Sequence, residues 1–299
     1  MSDQKSLKIL FVINPGAGAK AKTSWEDAIR DYFDGQTHSV EYFIIGAQDD
    51  KPSLEEVIEK IRPQRVVAVG GDGTVSLVAK HLVGSEMALG ILPAGSANGM
   101  AKELNIPASP KEALDIILNG KIGECDLIEI NGKELCLHLS DIGLNAQLIK
   151  YFDEGKLRGK LGYAKVVIKT LLNRQPMRVV MQTENEEIRR TAFMVVLANA
   201  SKYGTGAVIN PDGKIDDGFF EVIIVKRLAF SEFMKMLFRP QPFNPRNIQC
   251  YKARGITIDT HRKVHFQVDG EYMGRVKHID ARILHHHIAL ILPATEPGQ

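Results

Sequence analysis

Of 299 residues only three are cysteine, Cys125, Cys136 and Cys250, and one is tryptophan. The cysteines are odd in number, far apart and free of any CxxC pair, which argues against a disulfide framework or a thiolate zinc site and suits a reducing compartment. A surplus of one charge is also missing. The 38 Lys and Arg against 36 Asp and Glu leave a formal charge of +2, so no nucleic-acid partner is expected and any basic surface must be local. No apolar run approaches the ~20 residues of a membrane-spanning helix, and the run Ile9 to Ile13 is too short for a signal segment. A cytoplasmic protein is expected.

What is present is a chain that changes texture partway. At 44% hydrophobic residues it can bury a sizeable core, and its length favours two domains. From Lys8 to about Ile122, short continuous apolar runs alternate with helical patterns: KILFVI (8–13), a helix near Trp25 to Phe33, SVEYFII (39–45), a helix in SLEEVIEKI (53–61), RVVAV (65–69) and ALGILP (88–93). Ser53 with Glu56 three residues on fits a capping box. Continuous apolar strands alternating with helices predict a parallel sheet covered on both faces. From Cys125 on, short strands spaced by Asn-Gly, Asp-Gly and Gly-rich turns predict antiparallel sheets, with helices only near 157–172 and 230–238. The fold class is therefore α/β plus β. Domain boundaries are placed at 1–125, possibly completed by 288–299, and at 126–287.

The chemistry concentrates in Gly70-Gly71-Asp72-Gly73-Thr74, a turn between the strand ending at Val69 and a helix expected to begin after Thr74, with Val75, Val78, Ala79 and Leu82 on its buried face. Glycines let a bulky anion approach the backbone, and amides at a helix start carry partial positive charge suited to phosphate. Asp72 repels phosphate, so its expected jobs are to hold magnesium or to take a proton from an attacking hydroxyl. Two more small-residue loops follow strands: Asn14-Pro15-Gly16-Ala17-Gly18, and Ala94-Gly95-Ser96-Ala97-Asn98-Gly99. Three such loops at the carboxyl edge of a parallel sheet build a nucleotide site. The Walker A lysine motif, the dinucleotide fingerprint and the protein-kinase signatures are all missing.

NPGAG, GGDGT and PAGSAN, followed by YGTGAVINPDGKIDDGFFEV and VDGE, resemble the diacylglycerol kinase catalytic family, which includes bacterial lipid kinases and sphingosine and ceramide kinases. The motifs run from residue 14 to residue 271. The resemblance implies a nucleotide-binding α/β domain, a β-sandwich domain and a cleft between them, with ATP and Mg2+ as cofactors and a lipid acceptor reached peripherally at a membrane surface. It places Asn14, Val69, Gly70, Gly71, Asp72, Gly73, Thr74, Val75, Ser96 and Asn98 around ATP. Asp126 matches an aspartate in a magnesium network, and Asp217 with the carbonyls of Lys214 and Phe219 matches a structural metal site. Glu271 matches the family's proposed catalytic residue. Taken as one extended strand, Asp269 and Glu271 share a face about 6–7 Å apart, a pairing that favours one of them as a base near neutral pH. Asp72 is the competing base.

Two positions depart from the pattern. Leu77 stands where many members have a Glu, and Gly99 follows the loop asparagine where diacylglycerol kinases commonly have an Asp, which looks more like the sphingosine and ceramide branch. Two alternatives therefore stay open: a soluble small-molecule kinase of the NAD kinase type, and an inactive nucleotide- or lipid-binding member. Residues 155–178 carry seven basic residues and no acidic ones on a helical period, which suits anionic headgroups or simply a solvated face. A homodimer stays open as well. His285-His286-His287, with no neighbouring carboxylate in sequence, is expected to be strand rather than metal site.

Overall fold

The run KILFVI forms strand β1 (Lys8–Ile13), buried at every residue after Lys8. It lies parallel to β2 (Ser39–Ile44) on one side and to β3 (Arg65–Gly70) on the other, and β4 (Ala88–Pro93) lies parallel to β3. Burial on both faces is what continuous apolar strands require. Along the chain come helices α1 (Trp25–Phe33), α2 (Leu54–Ile61), α3 (Asp72–Leu82), α4 (Gly99–Glu103) and α5 (Pro110–Asn119). The capping box at α2 is formed, with Ser53 Oγ accepting the Glu56 amide at 3.2 Å and the Glu56 carboxylate accepting the Ser53 amide at 2.7 Å. Helix α5 goes beyond the sequence expectations; its signal is Pro110 at the first turn with Ala113, Leu114 and Ile117 on one buried face. This computed structural model describes residues 6–16, 25–46, 52–153, 175–184, 186–202, 208–211, 213–227, 244 and 246–294.

The chain divides into two units, Met1–Cys125 with His286–Gln299, and Asp126–His285. The first unit takes in the end of the last strand, β14 (Glu271–Leu292), whose Ala289 and Leu290 lie parallel beside Ala88 and Leu89. Its final side chains fill space that glycines leave: a Cβ on Gly90 would lie 3.3 Å from Ile291 Cδ1, and one on Gly123 would lie 2.5 Å from Leu292 Cδ1.

The second unit is antiparallel. It comprises most of β5 (Lys121–Ile130), then β6 (Glu134–Cys136), β7 (Leu139–Gly143), α6 (Leu144–Asp153), β8 (Met177–Gln182), β9 (Glu187–Ala192), β10 (Met194–Ala198), β11 (Phe220–Val225), β12 (Ile248–Ala253), β13 (Gly255–Val268) and the first part of β14. Strands pair in the order β12-β11-β10-β7-β13-β14, with β8 on β13, β9 on β8, β5 on β14 and β6 on β5. Ile142, Val179, Val195, Phe220, Ile258 and Phe266 lie in its main core. Helix α6 corrects the expectation of only two helices here, and both of those, 157–172 and 230–238, include or fall wholly on residues outside the described ones. GITIDT and KVHFQV form one strand of 14 residues rather than two. Among the described residues no helix is long and apolar enough to cross a membrane.

Candidate active site

In the first unit, β3 runs without interruption into Gly70, and α3 starts at Asp72 with Gly71 as its cap. The helix thus begins three residues earlier than the apolar spacing suggests, because Asp72, Gly73 and Thr74 belong to its first turn. Its first internal bonds are those of the Thr74 and Val75 amides to the Gly71 carbonyl, at 3.0 and 3.1 Å. The Asp72 and Gly73 amides ahead of them have no intrahelical acceptor, which is the arrangement that receives an anion. Glycine is required at two points. A Cβ on Gly70 would lie 2.2 Å from Thr74 Oγ1, and one on Gly95 would lie 2.4 Å from Gly71 Cα, so the loops after β3 and β4 touch backbone to backbone.

The three loops are tied by polar contacts. Asn14 Nδ2 donates to Thr74 Oγ1 at 3.3 Å, and Asn14 Oδ1 accepts the Gly16 amide at 3.0 Å. Asn98, in the left-handed region at φ 52, closes its own loop by accepting the Gly95 amide and donating to the Gly95 carbonyl. The Asp72 carboxylate accepts the amides of Gly99 and Met100 at 2.9 and 3.0 Å, one on each oxygen, and so fastens the start of α4 to the start of α3. Val69 and Val75 are buried and present only main chain, whereas Ser96 is exposed. Leu77 is an exposed apolar residue on α3.

The second unit corrects the expected geometry of Asp269 and Glu271. They do not share the face of an extended strand: β13 ends at Val268, β14 begins at Glu271 opposite it, and Asp269-Gly270 is the two-residue turn between, with φ of 49 and 89. Asp-Gly is the pair that a turn with two positive φ angles prefers. The turn sends its two acids to different fates. Asp269 is buried and accepts the amides of Leu137, His138 and Leu139 at 2.9, 2.9 and 3.2 Å, plus the Cys136 thiol at 3.3 Å. Burial, with the Asp269 charge next, pushes that thiol well above its ordinary range, so Cys136 is no nucleophile. Glu271 is exposed, and among the described residues its carboxylate has no hydrogen-bond or ion-pair partner.

A residue that the sequence reading missed supports this hairpin. Asp141, 1% exposed, accepts Asn145 Nδ2, the Ala146 amide at the start of α6, and Gln267 Nε2, while Gln267 Oε1 accepts the Gly270 amide at 2.8 Å. Burial pushes its carboxyl up to about 6 against these bonds. Its one sequence signal is an acid inside an apolar strand, three residues before a helix.

Asp126 is fully buried, and its carboxylate accepts the Gly218 amide and pairs with His285 Nδ1, each at 2.7 Å. It therefore anchors the 214–219 turn. The histidine run is not devoid of acids as its sequence neighbours suggest: His285 meets Asp126, and in the first unit His286 Nδ1 lies 2.6 Å from Glu124. Asp217 accepts the Phe219 amide at 3.1 Å and the ammonium of Lys252 at 2.7 Å. The same ammonium is 4.0 Å from Glu221, whose carboxyl burial pushes up and whose Asn210 and Lys252 contacts oppose that rise. A divalent ion at Asp217, with the carbonyls of Lys214 and Phe219, would have to displace that ammonium; as it stands the turn does not fit one.

A glycine turn at a helix start on the edge of a parallel sheet is an arrangement that receives a phosphate group. The diacylglycerol kinase catalytic domain matches residues 8–130 and the YegS C-terminal NAD kinase beta sandwich-like domain matches residues 140–291, and the chain belongs to this kinase family. It is 26% identical to the diacylglycerol kinase of Bacillus subtilis over 78% of this chain and 79% of that one. It is 29% identical to a probable lipid kinase YegS-like of Klebsiella pneumoniae, over 73% and 74%. Among solved structures, a diacylglycerol kinase from Bacillus anthracis superposes with a TM-score of 0.72 at 20% identity, covering 98% of each chain. An NAD kinase from Archaeoglobus fulgidus in complex with ATP gives 0.55 at 14% identity, covering 95% of this chain and 93% of its own. These two likenesses concern the fold alone.

Proposed function

We propose that this protein is an ATP-dependent lipid kinase that transfers the γ-phosphoryl group of Mg-ATP to a hydroxyl of a diacylglycerol or sphingoid-type lipid. The loop amides of Asp72 and Gly73 hold the phosphates, with Asn14, Thr74 and Asn98 fixing the loops. Magnesium bound with the nucleotide would supply charge neutralisation there. Glu271 takes the proton as the acceptor oxygen bonds to the γ-phosphorus and the bond to the β-phosphate oxygen breaks, leaving ADP. One observation carries this assignment. Of the three candidate bases, Asp72 and Asp269 are committed to backbone amides, and only Glu271 is free to accept a proton. Asp72 is then a clamp on the loops, and Asp126 with Asp217 shapes a turn balanced by Lys252.

The acceptor lies in a membrane, so the enzyme works as a peripheral protein on the inner face, as a monomer or homodimer. The test is label transfer from ATP to diacylglycerol, sphingoid base, ceramide, glycerol and NAD in mixed micelles. Label is expected in an extractable lipid, and Glu271→Ala is expected to lower the rate roughly 10²–10⁴-fold without changing the melting temperature. Label in NAD alone would support the soluble alternative, a small-molecule kinase of the NAD kinase type. Full turnover in Glu271→Ala would remove the assigned base.

A further inference from the structure

Within the second unit a cavity of about 230 Å3 opens beside the start of α6, the start of β8 and the β13–β14 pair. Its polar wall is Gln147, Gln175, Arg262, Lys263, His265 and Arg275, and among the described residues its lining includes no carboxylate. The strand geometry explains how the cations gather. In a regular strand successive side chains alternate between faces, yet residues 262–265 line the cavity consecutively. The pairing of β13 with β14 slips between Asp259 and Val264 and again between His265 and Gln267. Such bulges re-aim side chains, and Thr260 Oγ1 holds this one by donating to the Arg262 carbonyl at 2.7 Å.

The cations are placed but not neutralised. The Arg262 guanidinium is held by the carbonyls of Gln175 and Pro176, at 3.4 and 3.3 Å, and by Gln175 Oε1. Among the described residues Arg262, Lys263 and Arg275 make no ion pair with any carboxylate. Three like charges around one small polar space repel one another unless an anion joins them. Guanidinium forks and an ammonium match the oxygens of a phosphate. We propose that this cavity binds a phosphate group, carried by a soluble phosphate ester or by the headgroup of an anionic phospholipid.

The test uses the full chain without nucleotide, so its outcome does not depend on phosphoryl transfer. Inorganic phosphate and glycerol 3-phosphate are titrated calorimetrically, and phosphatidylcholine vesicles with and without phosphatidylglycerol are cosedimented. The exposed pair is changed together, Lys263→Gln with Arg275→Gln, which leaves Arg262 and the bulge in place. Binding is expected to weaken about tenfold, while Lys277→Gln, an exposed cation on the same strand outside the cavity, binds as the native chain does. Loss with the soluble probes assigns a phosphate ester; loss with the phosphatidylglycerol vesicles alone assigns a headgroup. The proposal is overturned if neither probe binds the native chain, if the double variant binds as tightly, or if Lys277→Gln loses as much.

Discussion

The two units fix their polar groups with opposite materials. In the first, side chains are removed: Gly70, Gly71 and Gly95 bring backbones into contact, and the site is made of main-chain amides. In the second, charge is buried. Asp126, Asp141 and Asp269 each spend a carboxylate on the amides of a turn or helix start. A glycine loop tolerates no added atom, whereas a buried acid tolerates no lost one, and the two designs fail differently under mutation.

The largest effect is expected at Asp269. Asp269→Ala strands three buried amides and should cost on the order of 3–5 kcal/mol in denaturant unfolding. Asp269→Asn keeps the turn preference and should cost clearly less; equal losses would mean that the charge, not the turn, matters. Asp141 comes next. Its folded carboxyl is raised from 3.8 to about 6, so its contribution to stability is fully present below pH ~4 and is lost as pH rises to about 6, by roughly 3 kcal/mol. Asp141→Asn should therefore gain on the native chain between pH 4 and 6 and run parallel above that. A gap independent of pH would refute the cause given for the shift.

Gly95→Ala tests the other design. Its Cβ would meet Gly71 Cα at 2.4 Å, so the loops must part at a cost of ~1–3 kcal/mol, with a raised KM for ATP. An unchanged KM would show that the loop contact does not set the phosphate site. The smallest effect concerns Lys252: a chelator should leave the native melting temperature unchanged, and Lys252→Met should make melting respond to added calcium or magnesium. A native chain that loses stability on chelation would restore a metal to Asp217.

The same contrast explains what the sequence made legible. Strands β1 and β4 and helix α1 lie where their apolar patterns place them, because a strand buried on both faces and an amphipathic helix each write their period directly. The three loops could be read from strand-glycine-helix order alone. Asp269 and Glu271 could not: two residues apart looks the same in a strand and in a turn, and only the ladder between Val268 and Glu271 decides. The partners of Asp126 and Asp141 come from 92 and 126 residues away along the chain, a distance over which no local pattern carries information.

Strand β14 has one more consequence. The first unit takes residues from both sides of the second along the chain, since Ala289 and Leu290 complete the sheet beside β4. During synthesis that edge of β4 must wait, unpaired, until residues through Leu290 have left the ribosome. The unit that carries the glycine loops is therefore begun before the antiparallel unit and closed after it, and a chain cut short before Ala289 would leave a sheet edge open to aggregation.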